Sequence, residues 1–216
     1  LVDFKIIGSQ VDGESPSGSL TAVFGDIGPG ETAAGAWFLE STLQGKFIDY
    51  QATFSHVNAL GIPELSLIKA VHIHELIHGG DFDGDGRIDF LANDVADLQD
   101  LPDRIYLASG QQYAVGQGNG SVGVVSQAAD RIVLSLTTES GSGWQYFDVA
   151  ASPVDQRFHI SSVSRDGSVL EAGQYWFTDR TFTNLRVRPT YEDRIHLIDD
   201  HAGATYTIVF DRIVPA

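Results

Sequence analysis

The chain has 216 residues, 13 Lys and Arg against 29 Asp and Glu, a formal net charge of −16, and neither cysteine nor methionine. Such acidity argues against phosphate-driven binding to nucleic acid or to anionic membranes, and the missing cysteines exclude disulfides, thiol catalysis and CxxC-type zinc sites. Hydrophobic content of 43% with only 19% charged residues describes a folded chain and not a solvated tail.

Length permits one large β domain or two of roughly 100 residues. No apolar run approaches the length of a membrane span. A sequence without an initiator methionine reads as a processed or excised piece, expected to be the folded part of an exported protein at the cell surface or outside the cell.

Glycine is abundant (23 residues), and short alternating apolar runs recur between turn signals, as in β-sandwiches. Candidate strands of the first half are Val2–Ile7, Ser19–Phe24, Ala36–Glu40 and Phe47–His56. Val2–Ile7 precedes a flexible turn and is free to pair with a neighbouring subunit. Ile62–His78 has two readings. Pro63 and Gly79-Gly80 suit the start and stop of one short helix, while alternation over Ser66–His78 suits a strand with His72, His74, Leu76 and His78 on one face. In the second half, strands are expected at Ser121–Val125, Arg131–Leu136, Trp144–Val149, Arg157–Val163, Val169–Ala172, Tyr175–Phe177, Asn184–Val187, Arg194–Ile198 and Thr205–Phe210. Asp166-Gly167 and Asp199–Gly203 read as hairpin turns.

The expected fold is therefore mainly β, with two β-sandwich-like modules. Residues 1–108 form the first, with an insertion at about 62–103. A Gly-rich linker at 109–120 leads to the second, 121–216.

The strongest chemical signal is Asp81-Phe82-Asp83-Gly84-Asp85-Gly86-Arg87-Ile88-Asp89. Carboxylates at alternate positions of a tight loop converge on a hard cation that takes six to eight oxygens. Asp81, Asp83 and Asp85 are expected at positions one, three and five of a calcium site, the carbonyl of Arg87 at seven and Asp89 at nine. Gly86 permits the turn, and Ile88 is the expected apolar anchor. The stretch resembles the DxDxDGxxD calcium loops of FG-GAP repeats and, more loosely, those of dockerins and EF-hands. Ala92 stands where an EF-hand has its bidentate glutamate, so a loop leading into a strand at Ile88–Leu91 is expected, with constitutive binding. Eight aspartates (81, 83, 85, 89, 94, 97, 100 and 103) crowd this region, and Asp94 is a candidate to complete the shell.

His74-Glu75-Leu76-Ile77-His78 fits the HExxH pattern and resembles the zinc metallopeptidases. On a helix, His74 and His78 would share a face and hold zinc, with Glu75 activating water. No HxxGxxH extension follows, which leaves Asp94 or Asp97 as third ligand by analogy. On a strand, His72-Ile73-His74-Glu75 resembles the HxHE of copper/zinc superoxide dismutases and the HIH of CHRD modules, although His56, His159, His196 and His201 do not have a dismutase's spacing.

Trp37, Trp144 and Trp176, with Tyr146, Phe147, Tyr175 and Phe177, make a glycan-binding platform a further alternative. Gly25-Asp26-Ile27-Gly28-Pro29-Gly30-Glu31-Thr32 followed by Ala36-Trp37-Phe38-Leu39 resembles the loop-then-strand segment of CARDB-like and related Ig-like adhesion modules. That resemblance implies a β-sandwich in a multi-module secreted or surface-attached protein, without catalysis. The expected function is a calcium-stabilised structural or adhesive module whose partners are other modules or subunits. A zinc peptidase and a carbohydrate-binding module are the alternatives.

Overall fold

Alternating apolar and polar residues produce strands through most of the computed structural model, which describes residues 3–12, 14–29, 31–42, 55, 56, 68, 70, 72, 74–95, 101–182, 191–201 and 203–214. The chain is mainly β and, among the described residues, has no α-helix. It divides into two compact units, Leu1–Ile73 and His74–Ala216.

In the first unit, β1 (Phe4–Val11) pairs antiparallel with β2 (Gly35–Ser41), with a bulge between Ile6 and Gly8. Ser9 and Ser17 exchange backbone hydrogen bonds beside it, and a Cβ on Gly8 would lie 2.7 Å from the Ser17 carbonyl oxygen. The N-terminal strand thus finds its partner within its own unit. Trp37 donates its indole N–H to the Leu20 carbonyl at 2.9 Å. No strand forms at Ser19–Phe24. The strand expected at Phe47–His56 lies outside the described residues except for Ser55 and His56, as do Asn184–Val187 and most of 62–73.

The second unit contains β3 (Glu75–Gly80), β4 (Asp89–Asn93), β5 (Arg104–Tyr106), β6 (Gln112–Ala114), β7 (Gly116–Gln117), β8 (Gly120–Gln127), β9 (Arg131–Thr138) and β10 (Gln145–Ala150). After these come β11 (Phe158–Arg165), β12 (Ser168–Val169), a 3-10 turn at Ala172–Gln174, β13 (Tyr175–Phe182), β14 (Tyr191–Asp199) and β15 (Thr205–Arg212). They form three sheets, ordered β3-β4-β5-β6, β13-β14-β10-β7 and β12-β11-β15-β9-β8.

Period-two alternation assigns each side chain to a layer. Ile132, Leu134 and Leu136 of β9 and Tyr206, Ile208 and Phe210 of β15 meet Phe147, Ile195 and Leu197 of the β13-β14-β10-β7 sheet in one buried core. Intervening residues of that same sheet, Tyr146 and Ile198, turn the other way. With Trp144 they meet Phe82, Leu91, Ile105, Leu107 and Val115 in a second core. The sheet in the middle is covered on both faces, so Ile195–Asp199 of β14 is buried without a break.

Several expectations change. The stretch 109–120 is no linker: it supplies β6 and β7, and the compact units divide between Ile73 and His74. A helix over Ile62–His78 is overturned at its C-terminal end, where Glu75–His78 belong to β3. Asp166 and Gly167 do form a tight turn, both with left-handed φ (46° and 92°), between β11 and β12. The Asp199–Gly203 turn joins β14 to β15, which lie in different sheets, so it crosses between layers.

Candidate metal centre

The acidic loop is the connection of a β-hairpin. β3 and β4 pair antiparallel up to Gly80 and Asp89, and residues 81–88 close the turn between them. Gly84 and Gly86 adopt φ of +78° and +80°, a region open to glycine but costly for other residues. The Asp81 carboxylate accepts from the amides of Gly84 (2.7 Å), Asp85 (3.2 Å) and Gly86 (2.9 Å). Asp83 accepts from Asp85 N–H at 3.2 Å, and Asp85 from Arg87 N–H at 2.9 Å.

Asp89 opens β4 and is fully buried. Its two oxygens accept from the amides of Phe82 and Ala108, each at 2.8 Å. Burial pushes its carboxyl above the usual range. The two amides oppose that shift, and the neighbouring Asp83 and Asp85 add to it. Among the described residues no Lys, Arg or His forms an ion pair with Asp89.

Carboxylate oxygens of Asp81, Asp83 and Asp89 lie within 4.8 Å of one another, close enough to hold one metal ion. Asp85 stays outside that trio. Its carboxylate bonds the Arg87 amide and lies 4.0 Å from the Arg87 guanidinium. The apolar anchor is Phe82, 3% exposed, and not Ile88, which is 41% exposed. Asp94 is engaged elsewhere: it receives the Tyr106 hydroxyl and lies 2.9 Å from His74 Nδ1. Burial and that carboxylate push Tyr106 up to about 12. Asp103 accepts from the amides of Asp94 and Val95, as a loop cap does, whereas Asp97 and Asp100 lie outside the described residues.

Strand geometry also separates the HExxH histidines. A bulge between Leu76 and His78 interrupts the alternation, so Leu76 faces solvent while Ile77 and His78 turn inward. His74 packs over Tyr106, with ring centres 4.3 Å apart, and His78 stacks on Trp176 at 3.9 Å. Glu75 accepts from the Asn93 side chain at 3.1 Å. Without the helix, nothing brings His74 and His78 to one face. Among the described residues neither joins a group of three metal-ligating side chains.

Two further clusters escaped the sequence reading. Asp199, Asp200 and His201 also bring ligand atoms within 4.8 Å. There, however, Arg165 already sits 2.6 and 2.7 Å from the buried Asp199 carboxylate, and Tyr206 donates to it at 2.9 Å. That group carries its own cation. The contiguous Asp-Asp-His triplet was its available signal.

The other cluster centres on His196, 8% exposed, with Nδ1 2.7 Å from the Tyr146 hydroxyl and Nε2 2.6 Å from that of Thr178. A neutral imidazole provides one donor and one acceptor, which suits two hydroxyls. Burial pulls His196 down to about 4, with Asp148 partly opposing the shift, and burial likewise lowers His78. Trp176 stacks on both imidazoles.

The aromatic residues of the second unit divide between buried positions and one open cavity, which Tyr175, Trp176 and Phe177 line with His159, Ile160 and Ser161. Trp144, Tyr146 and Phe147 are buried, Tyr175 and Phe177 pack against the sandwich core, and Trp37 belongs to the first unit. Comparison with protein-family models, curated proteins and solved structures finds no match to this chain.

Proposed function

We propose that the chain is a calcium-stabilised, non-catalytic structural module of a secreted or cell-surface protein, with other modules or subunits as its partners. The observation that carries this reading is Asp89. A fully buried carboxylate held by two amides, with Asp81 and Asp83 oxygens in reach, gathers negative charge that a hard divalent cation would neutralise. Oxygen-only ligands favour calcium over zinc or copper, which prefer imidazole and thiolate. The ion would close the β3–β4 hairpin in a chain that has no disulfide to do so. Such loops suit extracellular calcium levels, and the resemblance of residues 25–39 to adhesion modules agrees with that setting.

The test is thermal unfolding with added calcium and with EGTA. A ligand that binds only the folded chain stabilises it by about 2.7 kcal/mol at a hundredfold excess over Kd. Calcium is expected to raise the melting temperature, EGTA to lower it, and Asp83→Ala to abolish the difference. An identical melting curve in calcium and in excess EGTA would sink the reading.

A further inference from the structure

The core-facing row of β15 runs Tyr206, Ile208 and Phe210, all fully buried, and its next member is Arg212. Phe158, part of the sandwich core, lies directly opposite Arg212 in the β11–β15 ladder, and directly opposed residues of an antiparallel pair share a face. A cation therefore stands where the alternation calls for an apolar side chain. Among the described residues its guanidinium makes no hydrogen bond and no ion pair. Asp130, whose carbonyl accepts the Arg212 amide, brings no carboxylate oxygen within ion-pair range.

Arg212 borders a cavity of about 230 Å³ at this end of the sandwich. Ile132 and Phe158, 2% and 7% exposed, form its floor, and Ala128 and Pro153 stand beside them. Arg157 is the other charged residue of the lining, which holds no carboxylate. The Arg157 guanidinium is already held by Asp155 through three hydrogen bonds of 3.0, 3.1 and 2.6 Å. Of the two cations, only Arg212 has donors to offer.

We propose that this cavity binds a small organic carboxylate, its oxygens on the Arg212 guanidinium and its apolar body over Ile132 and Phe158. A planar guanidinium matches a carboxylate with two parallel hydrogen bonds. The volume falls below the roughly 300–1,000 Å³ of a drug-sized site, so the body is one aromatic ring or a short branched chain. Phosphate fits less well, because the apolar floor would leave its remaining oxygens without partners.

The net charge of −16 does not decide the matter at this distance. At physiological salt, exposed charges more than about 8 Å away are largely screened. Close by, the Arg131–Asp211 and Arg157–Asp155 pairs each cancel. The cavity shares no residue with the candidate metal centre, so the inference stands apart from the calcium reading.

Nitrogen–proton NMR of the full chain, held in calcium throughout and titrated with phenylpropionate, tests it. Saturable shifts are expected at the amides of Ala128, Ile132, Phe158 and Arg212, with a dissociation constant on the order of 1 mM for so small a ligand. Arg212→Gln, at an exposed position, is expected to keep the melting temperature and to weaken binding about tenfold. Arg212→Lys, which keeps the charge and loses the fork, is expected to recover part of it. Phenylpropionamide, of the same shape without the charge, is expected to bind the wild-type chain as weakly as the acid binds Arg212→Gln. Glycylphenylalanine binding as tightly as phenylpropionate makes a peptide terminus the source of the carboxylate, and weaker binding makes it a free acid; either supports the site. No saturable shift overturns the proposal. So does equal binding of the amide, wild-type affinity in Arg212→Gln, or displacement by an equal concentration of inorganic phosphate.

Discussion

Asp89 and His196 are buried polar side chains with opposite demands on their surroundings. Asp89 remains an acceptor for two amides, so Asp89→Asn points an NH2 at one of those donors. The variant is expected to lose about 1–3 kcal/mol without calcium, the cost of leaving a buried donor unsatisfied. Calcium is expected to return none of it, as parallel melts with and without the ion will read. His196 needs to stay neutral. Its pKa of about 4 when folded, against an ordinary 6.5, means that the unfolded chain binds protons the folded one refuses. The folded chain carries no such penalty above about pH 6.5 and is progressively destabilised as pH falls toward 4. Burial of His78 acts in the same direction. Urea unfolding across that window is expected to show the decline, with a shallower slope in His196→Gln.

At the level of elements, the β3–β4 hairpin is seated by glycine. A Cβ on Gly80 would lie 2.6 Å from the Cα of Gly173, in the 3-10 turn, and a Cβ on Gly173 would lie 2.6 Å from the Asp81 nitrogen. The acidic loop therefore starts from a backbone-to-backbone contact. Either glycine changed to alanine is expected to cost about 2 kcal/mol or more, since backbone, not a flexible side chain, must move. Gly86→Ala, strained at φ +80°, is expected to cost about 1 kcal/mol and to weaken calcium binding; calorimetry reads both.

Strands β9 and β15 were legible because their alternation is unbroken, and the acidic loop was legible in part, because its spacing brings the carboxylates of Asp81, Asp83 and Asp89 together while Asp85 turns to Arg87. The inward turn of His78 was not legible, since one bulged residue reverses every assignment after it. Phe82 replaced Ile88 as the anchor for a related reason. Which of two apolar loop residues points inward depends on the sheet below, and Trp144 and Tyr146 arrive some 60 residues later in the chain. Gly80 read as a helix stop because its partner, Gly173, is more remote still in sequence.

At the scale of the whole molecule, and among the described residues, the two cores of the second unit and all three oxygen donors of the candidate centre come from residues after Ile73. The fragment His74–Ala216 is expected to unfold as one cooperative transition and to keep the full calcium response, measured by calorimetry against the intact chain. The sheet covered on both faces has a further consequence, for the order of events during synthesis. Residues 75–117 leave the ribosome before β10 and β14, on which they must settle. For that interval Phe82, Leu91 and Ile105 have no floor beneath them. Only contacts local to the hairpin can form early, so an ion captured by the acidic loop would give the nascent chain its first fixed point, and the outer layer would wait, pre-folded, for the strands that complete it.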